Sequence, residues 1–370
     1  MAGRASDQRV VLTLDAGGTS FRFSAWRGDR PVTGTVTLPS ESNNLKRSLA
    51  NIVAGFTRVK SKCPQPPVAI SFAFPGPADY PNGIIDNQGN LPAYRGGVAL
   101  GPLLRHHFKL PVFINNDGDL FAYGEAIAGF LPHVNALLEK AGSPKRYKNL
   151  FGFTLGTGFG GGIVRDGELF IGDNSIAGEV WLLRHKFLTG MNAEEGASIR
   201  AVRRVFAEAS GFPIEQAPDP KTIFKIGQGK APGNKKAARE AYRQLGEVVG
   251  DAMGQALTLI DGLAVIGGGI ASAWPLFLPA VVDELNGSFT NHARQRYRRL
   301  VATVFNLEDP AQRKRFVKNT ARRIAVPGTR QKIPFDPLPR LGVGITRLGT
   351  SEAVAIGACA FALRKLDQGC

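Results

Sequence analysis

The 370-residue chain is 43% hydrophobic and 21% charged, ordinary globular proportions that exclude a mainly disordered protein. At roughly 150 residues per domain the length suits about two domains. Forty-six Lys and Arg against 30 Asp and Glu leave a formal charge of +16. Cys63, Cys359 and Cys370 are too few and too scattered for a disulfide framework or a cysteine zinc site. No apolar run approaches the ~18 residues of a membrane helix, and the N-terminus lacks the apolar core of a signal peptide. A reducing, cytoplasmic setting is expected.

Val10–Leu14 alternates as a strand, Gly17-Gly18-Thr19 turns, and Phe21–Trp26 returns. Val32–Leu38 is expected to be a third strand. Asn44–Val59 carries Leu45, Leu49, Ile52, Val53 and Phe56 at helical spacing. Val68–Phe74 reads as a buried strand stopped at Pro75-Gly76-Pro77, and Gly83–Leu91 as a loop. Leu103–Phe108 is a short helix. Val112–Ile114 is a strand ending at Asn115-Asn116-Asp117, and Asp119–Phe130 is a helix with Asp119 as the expected cap. A second round follows: strand Leu150–Leu155, a turn over Gly156–Gly162, a return at Ile163–Val164, and a hairpin at Asp166-Gly167. Then come helices Ser198–Ala209 and Lys235–Ile260, strand Leu263–Ile266, turn Gly267-Gly268-Gly269, helix Trp274–Leu285, strand Val301–Phe305 and helix Glu352–Leu363. Two α/β halves each opening with strand, glycine turn and returning strand imply an internal duplication. The halves are expected at 1–118, joined by the C-terminal helix near 351–370, and at 119–350, with additions near 203–235 and 286–332.

The charge is concentrated. Phe289–Lys332 holds twelve basic residues against Glu308 and Asp309. Such a block serves a polyanion, an acidic partner or simply a solvated face. Only Tyr297, Phe305 and Phe316 interleave, a poor stacking platform, so the composition argues against nucleic acid as a partner and for a solvated face.

Five motifs could carry chemistry. In Asp15-Ala16-Gly17-Gly18-Thr19-Ser20-Phe21-Arg22, a strand delivers a carboxylate into a turn whose N–H groups and Thr19 hydroxyl can meet phosphate oxygens. Asp15 offers a hard oxygen ligand for Mg²⁺ through water, although a plain hairpin turn would also use Gly-Gly. Gly156-Thr157-Gly158-Phe159-Gly160-Gly161-Gly162 is costly to order and suits close phosphate contact. A strand rather than a helix follows it, which removes the dinucleotide-binding reading, and no P-loop is present. Asn116-Asp117 ends a buried strand, where Asp117 could accept an alcohol proton or simply cap a helix. Glu179 and Glu194 could accept hydrogen bonds from sugar hydroxyls. Gly267-Gly268-Gly269 could let a base or ribose lie on the backbone, or be a tight βα turn.

In this order the motifs resemble those of the ROK sugar kinases, within the actin-like, hexokinase-like ATPase superfamily. The likeness runs from Val10 to about Leu366. It implies an α/β, two-lobed ribonuclease-H-like fold with a central cleft, and ATP-dependent transfer of the γ-phosphate to a hydroxyl, the 6-hydroxyl, of a hexose. Asp117 would be the general base. Gly76, Asn90, Asn116, Glu179 and Glu194 would orient the sugar. Asp15, Gly17, Gly18, Thr19, Arg22, Gly156, Thr157, Gly158, Gly160, Gly267, Gly268 and Gly269 would hold the nucleotide, with Asp15 serving Mg²⁺. A homodimer is implied. One departure is large: Leu182 stands where the family's zinc-binding His falls, and no Cys module follows, so no zinc is expected and hydroxyl recognition must differ. Glu195 is the alternative to Glu194 by one register. The few residues before Asp15 argue against a DNA-binding repressor. A sugar-sensing or nucleic-acid-associated non-enzyme, or a polyphosphate-using hexokinase, stands as the alternative.

Overall fold

A computed structural model describes residues 7–76, 78–86 and 91–369. In chain order its elements are strands β1 (Val10–Ala16), β2 (Ser20–Arg27), β3 (Arg30–Pro31) and β4 (Val36–Pro39), then helix α1 (Leu45–Lys60) and β5 (Pro67–Ala73). Next are β6 (Ala78–Asp79), β7 (Ile84–Ile85), α2 (Leu100–Phe108), β8 (Val112–Asn115), α3 (Asp117–Ile127) and α4 (Phe130–Lys140). There follow β9 (Leu150–Leu155), β10 (Phe159–Arg165), β11 (Glu168–Phe170), α5 (Ile199–Ser210), α6 (Pro220–Gln228), α7 (Lys235–Leu259) and β12 (Leu263–Gly267). The chain ends with α8 (Trp274–Leu285), the hairpin β13 (Ser288–Thr290) and β14 (Arg296–Arg298), β15 (Thr303–Asn306), α9 (Pro310–Val317), the hairpin β16 (Arg322–Ala325) and β17 (Lys332–Phe335), β18 (Arg340–Ile345) and α10 (Thr350–Asp367). Among the described residues no helix is long and apolar enough to cross a membrane.

The described residues pack as two compact units. One draws on Met1–Gly129, Gly162–Gly178 and Leu348–Cys370, the other on Phe130–Gly161 and Glu179–Arg347. In the first, the sheet order is β3-β2-β1-β5-β8 with β4 also on β2. β1, β5 and β8 are parallel, and β2 is antiparallel to β1. The alternation in β1 explains its two coverings. Val10, Leu12 and Leu14 join Ile52, Phe56 and Val59 of α1 in one core. Val11 faces the other way, into Trp26, Ala69 and the Ile356, Cys359 and Leu363 of α10. A sheet buried on both faces needs nearly continuous apolar strands, which β5 (PVAISFA) provides. Helix α10 crosses α3 where Gly124 and Gly357 leave room: a Cβ on either would strike the other helix's backbone.

In the second unit the order is β11-β10-β9-β12-β18-β15, with β9, β12, β18 and β15 parallel. Returning strand, opening strand and two further parallel strands recur in the same order in both sheets, so the duplication is one of topology. The Asp166-Gly167 hairpin forms with φ of 51° and 79°, the pair of positive angles that its turn type requires.

Several expectations differ in detail. Of the strand expected at Val32–Leu38 only Val36–Leu38 forms, within β4, while β3 lies just before it, and Gly83–Leu91 contains β7. The helix expected to run to Phe130 breaks after Ile127, and a separate α4 begins at Phe130. The 203–235 stretch contains α6, whose Ile223 and Ile226 are buried. The 286–332 stretch carries two exposed hairpins and α9.

Candidate active site

In the first unit Asp15 of β1 stands opposite Ala73 of β5, and Ala73 opposite Asn115 of β8. Three parallel strands therefore end together, at the carboxyl edge where open α/β sheets bind ligands. From that edge β1 runs into Gly17–Thr19, β5 into Gly76 and β8 into Asn116-Asp117. Asn116, not Asp119, caps α3: its Oδ1 accepts the Gly118 N–H at 2.8 Å. Asp119 lies 2% exposed within the first helical turn, and the shorter reach from Asn116 suits a cap. Gly76 and Asn116 meet through Tyr80. A Cβ on Gly76 would lie 2.6 Å from Tyr80 Oη and 3.3 Å from Asn116 Nδ2. Tyr80 Oη donates to Phe74 O at 2.8 Å and accepts from Asn116 Nδ2 at 3.5 Å. Sequence reasoning missed Tyr80, because an aromatic just past a proline-glycine turn has no spacing rule to mark it. Asn90, and Pro77 beside Gly76, lie outside the described residues.

Asp117 is exposed to solvent, yet the neighbouring protein desolvates its carboxyl. That desolvation is the main reason its carboxyl is held above the ordinary range; the negative charge of Asp15 adds to it, and the Gly118 N–H, 2.9 Å from Oδ1, opposes it. Asp15 is itself exposed, as are Gly18, Thr19 and Arg22, the last paired across the strands with Asp15. Gly17 N–H donates to Ser20 O at 3.1 Å, and a Cβ on Gly17 would sit 2.9 Å from that oxygen, so only glycine fits. Ser40 braces the turn: its Oγ donates to Gly18 O at 2.6 Å and its N–H to Thr19 O at 3.2 Å. Among the described residues no three or more of His, Cys, Asp and Glu are grouped to hold a metal. An exposed carboxylate beside an exposed hydroxyl at a turn suits Mg²⁺, which keeps most of its waters and takes few protein ligands.

In the second unit Thr154 of β9 stands opposite Gly267 of β12. The turns Gly156–Gly160 and Gly267–Gly269 therefore sit side by side at the carboxyl edge of that sheet. Gly268 has φ +92°, and a Cβ there would strike Leu155's backbone; Ile270 N–H donates to Leu155 O at 3.1 Å, locking the two turns together. A Cβ on Gly156 or Gly269 would meet nothing within 4 Å, and Thr157 is exposed. This pair of turns thus presents open backbone, as a phosphate and base cradle needs. Gly158 is different. A Cβ there would lie 2.7 Å from Glu194 Oε2, which accepts the Phe159 N–H at 3.0 Å. Gly160 likewise clears Thr154 Oγ1, 2.6 Å from its would-be Cβ. Glu194 so braces the turn, and with Glu195 it pairs with Arg200, at 3.4 and 2.9 Å. Glu179 accepts from Trp181 Nε1. Leu182 is 60% exposed and His185 is buried. His185 Nδ1 accepts the Phe187 and Leu188 N–H groups at 3.0 and 3.1 Å, and burial, helped by Arg204, holds its pKa down.

The sequence pattern of the ROK family matches residues 11–312. The chain belongs to the ROK family. The crystal structure of a glucokinase from Parabacteroides distasonis superposes with a TM-score of 0.90 at 49% identity, covering 98% of this chain and 99% of that one. An N-acetyl-D-glucosamine kinase from Vibrio vulnificus is 28% identical over 273 residues, 70% of this chain and 84% of its own. A ROK glucokinase from Streptomyces griseus, solved with glucose and AMPPNP, shares the fold: TM-score 0.59 at 17% identity, over 95% of this chain and 98% of that one. This ROK protein has the α/β, ribonuclease-H-like fold of the actin-like ATPases and is a carbohydrate kinase.

Proposed function

We propose that this ROK kinase transfers the γ-phosphoryl group of ATP to the 6-hydroxyl of a hexose, with Asp117 as general base and glucose as the preferred acceptor. The observation that carries the reading is Asp117 itself: a solvent-reachable carboxylate with a raised pKa, opening α3 just past the end of β8, next to Asn116 and close enough to Asp15 to feel its charge. A base titrating nearer to neutral takes a hydroxyl proton better than an ordinary carboxylate. The proton passes to Asp117 as the acceptor oxygen bonds to phosphorus and the bond to the β-phosphate oxygen breaks, leaving ADP. Beyond that proton, positioning and charge neutralisation are the protein's main work. Asn116 and Gly76 orient the sugar on the first edge. Backbone at Gly17–Thr19 and at Gly156–Gly160 binds phosphates, and Gly267–Gly269 supports the nucleoside. Asp15 would hold Mg²⁺ through water, which would neutralise phosphate charge. The glucokinase at 49% identity favours glucose, and the Vibrio relative makes N-acetylglucosamine its competitor.

An ADP-release panel over glucose, N-acetylglucosamine, mannose, fructose and allose tests the reading. Glucose turning over fastest supports it; no ADP release with any sugar overturns it. The acid limb of kcat/KM is expected above the ordinary aspartate value of about 3.9, because the base works only when ionised and its pKa is raised. A rate unchanged down to that pH would contradict the role of Asp117.

A further inference from the structure

The hairpin β13–β14 leads into β15, and β16–β17 leads into β18. β15 and β18 are adjacent parallel strands, registered Thr303 to Arg340 at their amino-terminal ends, and Thr303 N–H donates to Pro339 O at 2.9 Å. Both hairpins therefore spring from the amino edge of the second sheet. The glycine turns after β9 and β12 lie at the opposite, carboxyl edge of the same parallel strands. The basic surface is thus separate from the phosphate cradle.

Each hairpin is clamped at its base by one buried arginine. The Arg299 side chain, 8% exposed, pairs with Asp251 at 2.6 Å and Glu284 at 3.3 Å. The Arg340 side chain, 0% exposed, pairs with Asp336 at 3.0 Å and donates to Thr320 Oγ1 at 3.0 Å. Beyond these clamps the acids stop. Neither 288–298 nor 318–335 contains an Asp or Glu. Arg294, Arg296 and Arg298 on the first hairpin, and Arg322, Arg330 and Lys332 on the second, have no ion-pair partner among the described residues. All four strands are exposed throughout. Of the aromatics that the sequence pointed to, Phe305 and Phe316 are buried and Tyr297 is exposed (53%); it faces Phe289 (57%) across the first hairpin, and Phe335 (42%) faces Arg322 across the second.

We propose that these two hairpins dock the phosphodiester backbone of a nucleic acid. Unpaired cations held on a fixed base neutralise phosphates and release their counterions, and aromatic faces between them stack exposed bases. A second copy of the chain would bring like charge onto like, which disfavours self-association through this face.

Fluorescence anisotropy with labelled duplex DNA, single-stranded DNA and RNA of ~20 nucleotides tests this. With about five phosphates contacted, affinity should fall about 500-fold between about 50 and about 200 mM salt. The variant Arg294→Gln/Arg296→Gln/Arg330→Gln/Lys332→Gln should lower the salt slope by about four and keep sugar-kinase activity. Which of the three probes binds tightest identifies the strand type. Binding that is insensitive to salt, binding equal in the variant, or no binding to any probe overturns the proposal. So does a variant that only changes from dimer to monomer by light scattering, which would assign the face to a second copy.

Discussion

The carboxyl edges of the two sheets repeat one topology and carry opposite chemistry. The first presents two exposed carboxylates, Asp15 and Asp117, the second with its pKa held above the ordinary range. The second presents open backbone at Gly156 and Gly269, and Glu194 beside it holds the Phe159 N–H. Even the glycines differ in purpose. Gly17 is forced by a backbone oxygen, whereas Gly158 and Gly160 are forced by side chains that brace the turn. Duplication supplies the frame, and single residues at strand ends give one edge its carboxylates and the other its open backbone.

The strongest break in this division is Gly162→Ala. A Cβ at Gly162 would strike Gly118 O and lie 2.8 Å from Asp119 Cα, pushing away the helix start that carries Asp117. We expect a loss of about 2 kcal/mol of stability by denaturant titration and about 100-fold in kcat. Gly158→Ala comes next. Glu194 must yield, and the buried Phe159 loses its N–H partner, so about 1 kcal/mol and about a tenfold rise in KM for ATP are expected. Gly156→Ala sharpens the contrast most cleanly. Its Cβ meets only open space, so the melting temperature should hold while KM for ATP rises about tenfold. If instead kcat for Gly156→Ala falls with KM unchanged, the second edge is doing more than binding phosphate.

Where the sequence was legible, the cause was local. Leu150–Leu155 and Trp274–Leu285 form the expected strand and helix residue for residue, because each is a mostly apolar stretch that meets a glycine-containing stop. The glycine turns and Asn116-Asp117 fall at strand ends as read. What escaped depended on tertiary contact. The Asn116 cap outcompetes Asp119 only because the chain leaves β8 in an extended conformation. Tyr80 matters because Gly76 lets it approach Asn116. The bracing by Ser40 and by Glu194 joins residues far apart in the chain. The arginine-rich stretch read as a solvated face, since nothing in its spacing shows that Arg299 and Arg340 are buried clamps while their neighbours stand unpaired.

Asp117→Asn tests the central claim most directly. The substitution keeps the side chain's shape and its contact to Gly118 while removing the proton acceptor and the repulsion with Asp15. Measured by ADP release at saturating glucose and ATP, kcat should fall about 10³-fold, with a melting temperature at neutral pH equal to or above that of the unsubstituted protein. Turnover within a few-fold of the unsubstituted enzyme, in a folded variant, would contradict the account.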